Sequence, residues 1–305
     1  MKIEKIALIG AGAVGSYFIW GLSEKMGDHF QVIADGERKE RLSKNGIRIN
    51  GKQYLFPVST ADEAGEQDLV LIATKYDGLE DAISKLPSLV GKDTIVISLL
   101  NGVDSEEKIG KAIGMEHVIY ATMRIASVRK ENEIVFIPEN TSGMYYGEPG
   151  IEEPSERVQE VEELLKDTGI RCRYRADILR NMWEKYVANV AQNLPQAILS
   201  VGYGAYIDSE HVYHIANGLW KEVAAVAKYK GIELPENLNL FRGVQQTSRF
   251  STLQDLDAKR HTEIDMFAGN MIEMGKEYGI PVPYCEYTYH LIKAMEEKND
   301  GKFEY

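Results

Sequence analysis

Short hydrophobic runs recur through the first half of the chain, and segments with helical spacing separate them. These runs are 5–10, 30–35, 68–75 and 93–102. Between them, residues 16–26 and 78–90 place apolar side chains at the three- and four-residue intervals of a helix. Buried strands that alternate with helices are typical of a parallel sheet with right-handed crossovers. The pattern therefore predicts an α/β amino-terminal domain with a doubly wound, mostly parallel sheet.

The pattern changes near residue 118. Shorter strand-like pieces follow, at 118–128, 133–137 and 143–148, and an amphipathic helix is predicted within 155–170. After residue 177 the apolar spacing is helical almost throughout. The predicted helices of this second part are 178–199, 209–230, 255–278 and 284–298. We therefore expect a first domain over 1–175 and an all-α carboxy-terminal domain over 176–305.

The glycines of "GAGAVG" follow the first predicted strand and open the first predicted helix. Gly10, Gly12 and Gly15 have the G-x-G-x-x-G spacing, which is informative only in this strand-to-helix context. There the glycines allow a tight turn, a close approach of a pyrophosphate and close helix–strand packing. The alternative is a glycine-rich turn without a ligand. The context favours a nucleotide site over residues 10–15, with Ala11, Ala13 and Val14 between the glycines.

Asp35 closes the second predicted strand, where an acidic residue accepts the ribose hydroxyls of NAD and repels the 2′-phosphate of NADP. However, Arg38, Lys39 and Arg41 follow within one or two helical turns, and any of them could neutralise a phosphate. These three residues could equally well form a charged turn that faces solvent. The residues alone leave the choice between NAD(H) and NADP(H) open.

Lys75 and Asn101 each end a predicted strand, in "TK" and "NG". In an open α/β sheet, ligands bind beyond the carboxyl ends of the strands, near the topological switch point. Both residues are therefore candidate contacts of a cofactor or substrate. The alternative for "NG" is an ordinary turn.

The stretch "WEKYVANVAQN" (183–193) places an unusual set of polar residues on an apolar helix. Lys185, Asn189 and Asn193 are each four residues apart, so a regular helix would present them on one side. Asparagine is a mediocre helix former, so a pair of asparagines needs a reason. A further helix is predicted over 248–267, with Ser251 near its start and Glu263 after a mixed-charge turn. A solvent-facing polar stripe remains the alternative in both places.

Composition and charge exclude several classes of function. The formal net charge is −12 over 305 residues without a block of like charges, which argues against binding to nucleic acid or to an anionic membrane. No apolar run approaches the roughly 20 residues that span a bilayer. Cys172 and Cys285 make neither a disulfide framework nor a zinc cluster, so we expect a cytoplasmic protein. His211 and His214 have no third ligand with matching spacing, and we expect no metal site.

Five segments in the order of the chain resemble the ketopantoate reductase (2-dehydropantoate 2-reductase) family. They are "IALIGAGAVGS", "TK", "NG", "WEKYVANVAQN" and "STLQDLDAKRHTEID". The last is the most specific, whereas the glycine motif is shared with many dehydrogenases. The resemblance implies a Rossmann domain followed by a helical domain. It also implies NADPH-dependent reduction of 2-dehydropantoate to (R)-pantoate, in pantothenate and coenzyme A biosynthesis.

The resemblance also implies roles for individual residues. Lys185 matches the catalytic lysine of the family and Glu263 its motif acid, which also lies near the cofactor. Asn101, Asn189, Asn193 and Ser251 match substrate contacts, and Lys75 with Asn101 matches residues near the nicotinamide. Hydride transfer to a ketone carbon leaves negative charge on its oxygen, which an ammonium group can stabilise and protonate.

Two departures from the family pattern keep alternatives open. Asp35 stands where the family commonly has arginine, and residues 201–206 lack a further asparagine that members often offer. A related 2-oxo acid is therefore an alternative substrate. A β-hydroxyacid dehydrogenase is a second alternative, although 140–147 is a poor version of its glycine-rich loop. A nucleotide-sensing Rossmann protein is the non-enzymatic alternative, and the helical half could offer the surface of a homodimer.

Overall fold

The computed structural model describes residues 2–130, 133–240 and 243–303. The chain divides into two compact units, residues 1–179 and 180–305. The boundary predicted between 175 and 176 lies four residues before this division.

The described residues of the first unit form two sheets. Its strands are β1 Ile6–Ile9, β2 Phe30–Ile33, β3 Ile47–Ile49, β4 Lys52–Tyr54, β5 Val58–Ser59, β6 Gln67–Ile72, β7 Val90–Ser98, β8 Val118–Arg124, β9 Ser127–Lys130, β10 Glu133–Phe136, β11 Gly143–Gly147 and β12 Cys172–Tyr174. The larger sheet has the order β12-β11-β8-β7-β6-β1-β2-β5, and the smaller one β4-β3-β10-β9. Among the described strands of the larger sheet, β11 and β8 pair antiparallel and all other neighbours pair parallel. The predicted doubly wound, mostly parallel sheet is confirmed.

Helices cover both faces of the larger sheet. They are α1 Ala13–Met26, α2 Gly36–Asn45, α3 Ala61–Ala64, α4 Leu79–Leu89, α5 Ser105–Ile113 and α6 Glu156–Leu165. All four residues of β1 are buried, because Ile6 and Leu8 face one core while Ala7 and Ile9 face the other. This two-sided burial explains why the strands are continuous hydrophobic runs. The chain order reverses at β1 and β6, so the switch point lies at their carboxyl ends.

The second unit is helical, as predicted. Its helices are α7 Ile178–Ala188, α8 Leu194–Leu199, α9 Ala205–Asp208, α10 Glu210–Tyr229, α11 Ser251–Asp257, α12 Asn270–Tyr278 and α13 Pro283–Asn299. Two π-helical segments, Asn189–Asn193 and Asp265–Gly269, continue α7 into α8 and lead into α12. The π-helical turns were not predicted.

The predicted helices 248–267 and 255–278 are wrong where they cross residues 258–263, and the first of them begins at Ser251 rather than at residue 248. Helix α11 ends at Asp257, and Lys259 has a positive φ of 51°. This left-handed residue turns the chain, so that the N–H of Arg260 reaches back to the carbonyl of Asp255 at 2.8 Å. Helical structure resumes only at Ile264. Ser251 and Glu263 therefore belong to different elements.

Candidate active site

The glycine loop combines close packing with an open position. Gly10 has φ +106°, and a Cβ atom there would lie 2.5 Å from the carbonyl oxygen of Ala73. A Cβ on Gly15 would overlap the carbonyl oxygen of Gly10. By contrast, a Cβ on Gly12 would meet no heavy atom within 4 Å. Gly10 and Gly15 are therefore required by packing, whereas Gly12 leaves room for a ligand beside the backbone.

The amino end of α1 faces this open position. Gly12 is the N-cap and provides no side chain to satisfy the first N–H groups of the helix. The first intrahelical bond runs from the N–H of Ser16 to Gly12, so the N–H groups of Ala13, Val14 and Gly15 remain available. Free N–H groups and the positive end of the helix dipole bind phosphate. Residues 10–15 thus fit the pyrophosphate of a dinucleotide.

Hydrogen bonds join the two strand-end turns that carry Lys75 and Asn101. The hydroxyl of Tyr76 donates to Oδ2 of Asp104 at 2.5 Å. Lys108 donates to the Tyr76 hydroxyl at 2.6 Å and pairs with Asp104 at 2.9 Å. The turn after β6 is therefore held to the turn after β7. The sequence predicted Lys75 and Asn101 as candidate residues. The hydrogen bonds that join their two turns are visible only in the structure.

A buried carboxyl group lies behind the Asn101 turn. Glu106 accepts a hydrogen bond from the hydroxyl of Ser105 at 2.9 Å, and Ser105 lies 2.8 Å from the hydroxyl of Ser98. Burial raises the pKa of Glu106 to about 8. The sequence shows two glutamates at the start of α5 but does not show which one is buried.

Asp35 does not stand alone at the end of β2. Its Oδ2 lies 3.2 Å from Nζ of Lys85, which is on α4 and also lies 2.5 Å from Asp81. Of the basic residues that the sequence offered, Arg38 is exposed and Lys39 pairs with Glu63. The cation beside Asp35 is therefore Lys85, which sequence reasoning missed.

Lys185, Asn189 and Asn193 lie where α7 passes into a π-helical turn. Lys185 is in the last turn of α7, while Asn189 and Asn193 begin and end the π-helical segment. Lys185 and Asn189 are half-buried, and Asn193 is buried. The expectation of a regular α-helix is wrong here, because π-helical i→i+5 bonding widens the turn. Such turns occur frequently at functional sites.

Tyr186 connects this helix to the segment that follows Glu263. Its hydroxyl lies 2.7 Å from the carbonyl oxygen of Phe267 and 3.1 Å from that of Met266. Both carbonyls belong to the second π-helical segment. The half-buried Glu263 is thus on a segment anchored to the residue next to Lys185.

The turn that carries Glu263 is fixed by Glu296 of α13. The N–H and the hydroxyl of Thr262 each donate to Oε1 of Glu296 at 2.7 Å, and the Ile264 N–H donates to the Thr262 hydroxyl at 3.2 Å. Glu296 is only 3% exposed. The sequence contains a signal for the burial of Glu296, because Glu296 has helical spacing from the buried residues Cys285 and Ile292 of α13.

Gln196 holds the start of α11 in place, as Glu296 holds the turn that carries Glu263. Its side-chain amide donates to the carbonyl of Ser248 at 3.0 Å and accepts from the N–H of Phe250 at 2.6 Å. Residues 201–206 pack against the same segment, because the N–H of Gly204 donates to the carbonyl of Gln246 at 2.9 Å. Ser251, exposed at the start of α11, follows directly. The loop 201–206, which has no asparagine, therefore supports the segment that leads to Ser251.

Two further properties concern the described residues only. Within residues 2–130, 133–240 and 243–303, no cluster of three or more His, Cys, Asp or Glu side chains is arranged to hold a metal ion. None of the helices in these ranges combines the length and apolar character needed to cross a bilayer.

Comparisons with known proteins agree over nearly the whole chain. The family model Ketopantoate reductase PanE/ApbA matches residues 6–149, and Ketopantoate reductase PanE/ApbA C terminal matches residues 177–296. A 2-dehydropantoate 2-reductase from Pyrococcus horikoshii is 30% identical, with 97% of this chain and 99% of the relative covered.

Solved structures show the same fold. A PanE/ApbA family ketopantoate reductase from Ralstonia eutropha JMP134 is 25% identical and gives a TM-score of 0.80. A D-mandelate dehydrogenase with NADH and anilino(oxo)acetate gives 0.81 at 24% identity, and a dimeric ketopantoate reductase from Staphylococcus aureus gives 0.78 at 19%. Each covers 97% of this chain and 99% of its own. The resemblance seen in the sequence is confirmed: the chain belongs to the ketopantoate reductase PanE/ApbA family of oxidoreductases.

Proposed function

We propose that the protein reduces a 2-oxo acid with a nicotinamide cofactor, and that 2-dehydropantoate is the substrate and (R)-pantoate the product. The observation that carries this proposal is the half-buried Lys185 in the last turn of α7, directly before a π-helical turn that begins at Asn189 and ends at Asn193. The name of the relative from Pyrococcus horikoshii supports the choice of substrate. This activity places the protein in pantothenate and coenzyme A biosynthesis.

The first unit supplies the cofactor site in this proposal. The N–H groups at the start of α1 bind the pyrophosphate, and Asp35 lies where the adenosine ribose is recognised. Lys75 and Asn101, on joined turns, contact the nicotinamide end. A reduced nicotinamide bound there supplies a hydride to the substrate.

The second unit supplies the proton. Lys185 donates a proton from its ammonium group to the carbonyl oxygen of the substrate as the carbonyl carbon receives the hydride, and the resulting amine is reprotonated from water. Asn189, Asn193 and Ser251 bind the hydroxyl and carboxylate groups, and Glu263 orients Lys185. A positioned general acid contributes about 10²–10⁴-fold to the rate.

A second candidate function is the reduction of another 2-oxo acid. The observation that favours it is the loop 201–206, which has no asparagine and uses Gly204 to pack against Gln246. Loss of a polar contact changes which substrate a site selects. A similar structure is that of a D-mandelate dehydrogenase, which shows the breadth of this fold.

Removing the ammonium group of Lys185 tests the proposal. We expect Lys185→Ala to lower kcat with 2-dehydropantoate by about 10²–10⁴-fold, because the developing alkoxide loses its proton donor. Cofactor affinity, measured by fluorescence titration, stays unchanged. The consumption of NADH and NADPH is followed with 2-dehydropantoate and with smaller 2-oxo acids.

Arg180→Ala is the matched control, since it removes one exposed cation from the same helix. Normal turnover in Lys185→Ala contradicts the role of Lys185. Cofactor binding by the wild type without turnover of any 2-oxo acid contradicts the reductase and favours a nucleotide sensor.

A further inference from the structure

The carboxylate of Asp35 is held by a cation from another helix. Asp35 is at the N-cap position of α2, and its side chain is 54% exposed. Lys85 lies beneath it, with a side chain only 14% exposed and its Nζ 3.2 Å from Oδ2 of Asp35. Lys85 is itself fixed by Asp81, one helical turn earlier on α4, at 2.5 Å. The result is a row of carboxylate, ammonium and carboxylate at the carboxyl end of β2.

The charge of Lys85 is secure at neutral pH. Partial burial lowers its pKa, but the hydrogen bonds to Asp81 and Asp35 outweigh this effect and leave the pKa raised. The row therefore has two negative charges and one positive charge. One face of Asp35 is occupied by Lys85, and its exposed face remains free to accept hydrogen bonds.

We propose that Lys85 determines cofactor selectivity: it holds Asp35 as an oriented carboxylate that accepts the ribose hydroxyls of NADH and excludes the 2′-phosphate of NADPH. This inference rests on the proposed nicotinamide cofactor and goes beyond it by selecting one of the two. A 2′-phosphate beside Asp35 would meet a like charge, which weakens binding at a recognition site. Lys85 cannot offset this repulsion while two carboxylates bind it.

Arg38 is the competing residue for a phosphate. It is exposed on the first turn of α2, one turn beyond Asp35. If Arg38 determined selectivity, the wild type would bind NADPH more tightly than NADH. Arg38→Ala would then reverse that order.

The experiment measures the dissociation constants of NADH and NADPH by fluorescence titration of the purified protein without substrate. We expect the wild type to bind NADH at least about tenfold more tightly than NADPH, equal to about 1.4 kcal/mol. Asp35→Ser removes the repulsion and releases Lys85 as a phosphate partner, so NADPH affinity rises about tenfold. In the double variant Asp35→Ser with Lys85→Met, this gain is lost. Lys85→Met alone weakens NADH binding severalfold.

Lys44→Met is the matched control. Lys44 is an exposed lysine in the last turn of α2, about 13 Å along the helix from Asp35, so its loss removes the same charge without the contact. We expect no change in either dissociation constant.

The outcomes distinguish a failure of the Lys85 proposal from a failure of the proposed function. Tighter binding of NADPH by the wild type, or a gain in Asp35→Ser that survives in the double variant, overturns the role of Lys85 and leaves the reductase standing. Binding of neither cofactor overturns the proposed function itself, and the inference with it.

Discussion

At the scale of single residues, Glu106 shows how burial alone changes the chemistry of a side chain. It is 1% exposed, and in the described part of the chain its Oε1 has no hydrogen-bond partner. Burial raises its pKa from an ordinary value of 4.5 to about 8. The folded protein therefore keeps a proton that the unfolded chain releases between these two pH values. The contribution of Glu106 to the free energy of unfolding therefore falls as the pH rises from about 4.5 to about 8, and levels off above 8.

Glu106→Gln tests this linkage. Glutamine has the same shape as glutamate and cannot ionise. The free energy of unfolding of the wild type falls by about 1.4 kcal/mol for each pH unit in this range, and that of the variant does not. We expect the Tm of the variant to rise relative to that of the wild type from pH 5 to pH 8. Thermal melts at pH 5, 6, 7, 8 and 9 measure the difference. The exposed neighbour gives the control, Glu107→Gln, and parallel profiles for Glu106→Gln and the wild type would refute the linkage.

The sequence identified the residues at the strand ends but not their partners. Gly10, Lys75 and Asn101 are found where strands end, and strand ends follow from local hydrophobic patterns. Lys85, Gln196 and Glu296 are ordinary polar residues on amphipathic helices. Their importance arises from contacts with distant segments, such as that between Gln196 and Phe250, 54 residues away. Such contacts leave no local pattern in the sequence.

At the scale of elements, the turn between α11 and the second π-helical segment is the clearest failure of sequence reasoning. Apolar residues have helical spacing on both sides of 259–263, so a continuous helix was expected over 248–267. Tertiary contacts override this preference, because Glu296 offers a buried acceptor to both donors of Thr262. The π-helical turns escaped prediction because i→i+5 bonding is rare and occurs as single turns inside α-helices, which apolar spacing does not distinguish.

We expect Glu296→Ala to loosen this turn. The variant leaves the N–H and hydroxyl of Thr262 without their acceptor, which costs about 1–3 kcal/mol of unfolding free energy. Hydrogen exchange should accelerate mainly at residues 260–264, and denaturant unfolding gives the loss of stability. The control is Glu297→Ala, because Glu297 is 44% exposed and pairs with Lys302 at the surface. Unchanged exchange at 260–264 would show that Glu296 does not fix the turn.

At the scale of the whole molecule, the two units differ in how well the sequence specified them. The central strands β1 and β6 and the second half of β7 are buried hydrophobic runs that alternate with helices. The smaller sheet was not predicted, because it joins strands of three or four residues from distant parts of the chain, such as β3 and β10. The helical unit was specified by its apolar spacing, although its breaks were not.

Cofactor binding should be visible as a change in the stability of the protein. A ligand that binds only the folded state at about 100 times its Kd adds about 2.7 kcal/mol, which raises the Tm by several degrees. We expect NADH to produce this shift in the wild type. Gly12→Val should fold and melt within a few degrees of the wild type without ligand, since the exposed Gly12 has no heavy atom within 4 Å of a Cβ position and valine is only a less favourable N-cap of α1. Because its side chain fills the space that the pyrophosphate needs, the variant should lose the NADH shift. Thermal melts of both proteins with and without NADH measure this Tm shift. A full shift in Gly12→Val would show that the cofactor does not bind at residues 10–15.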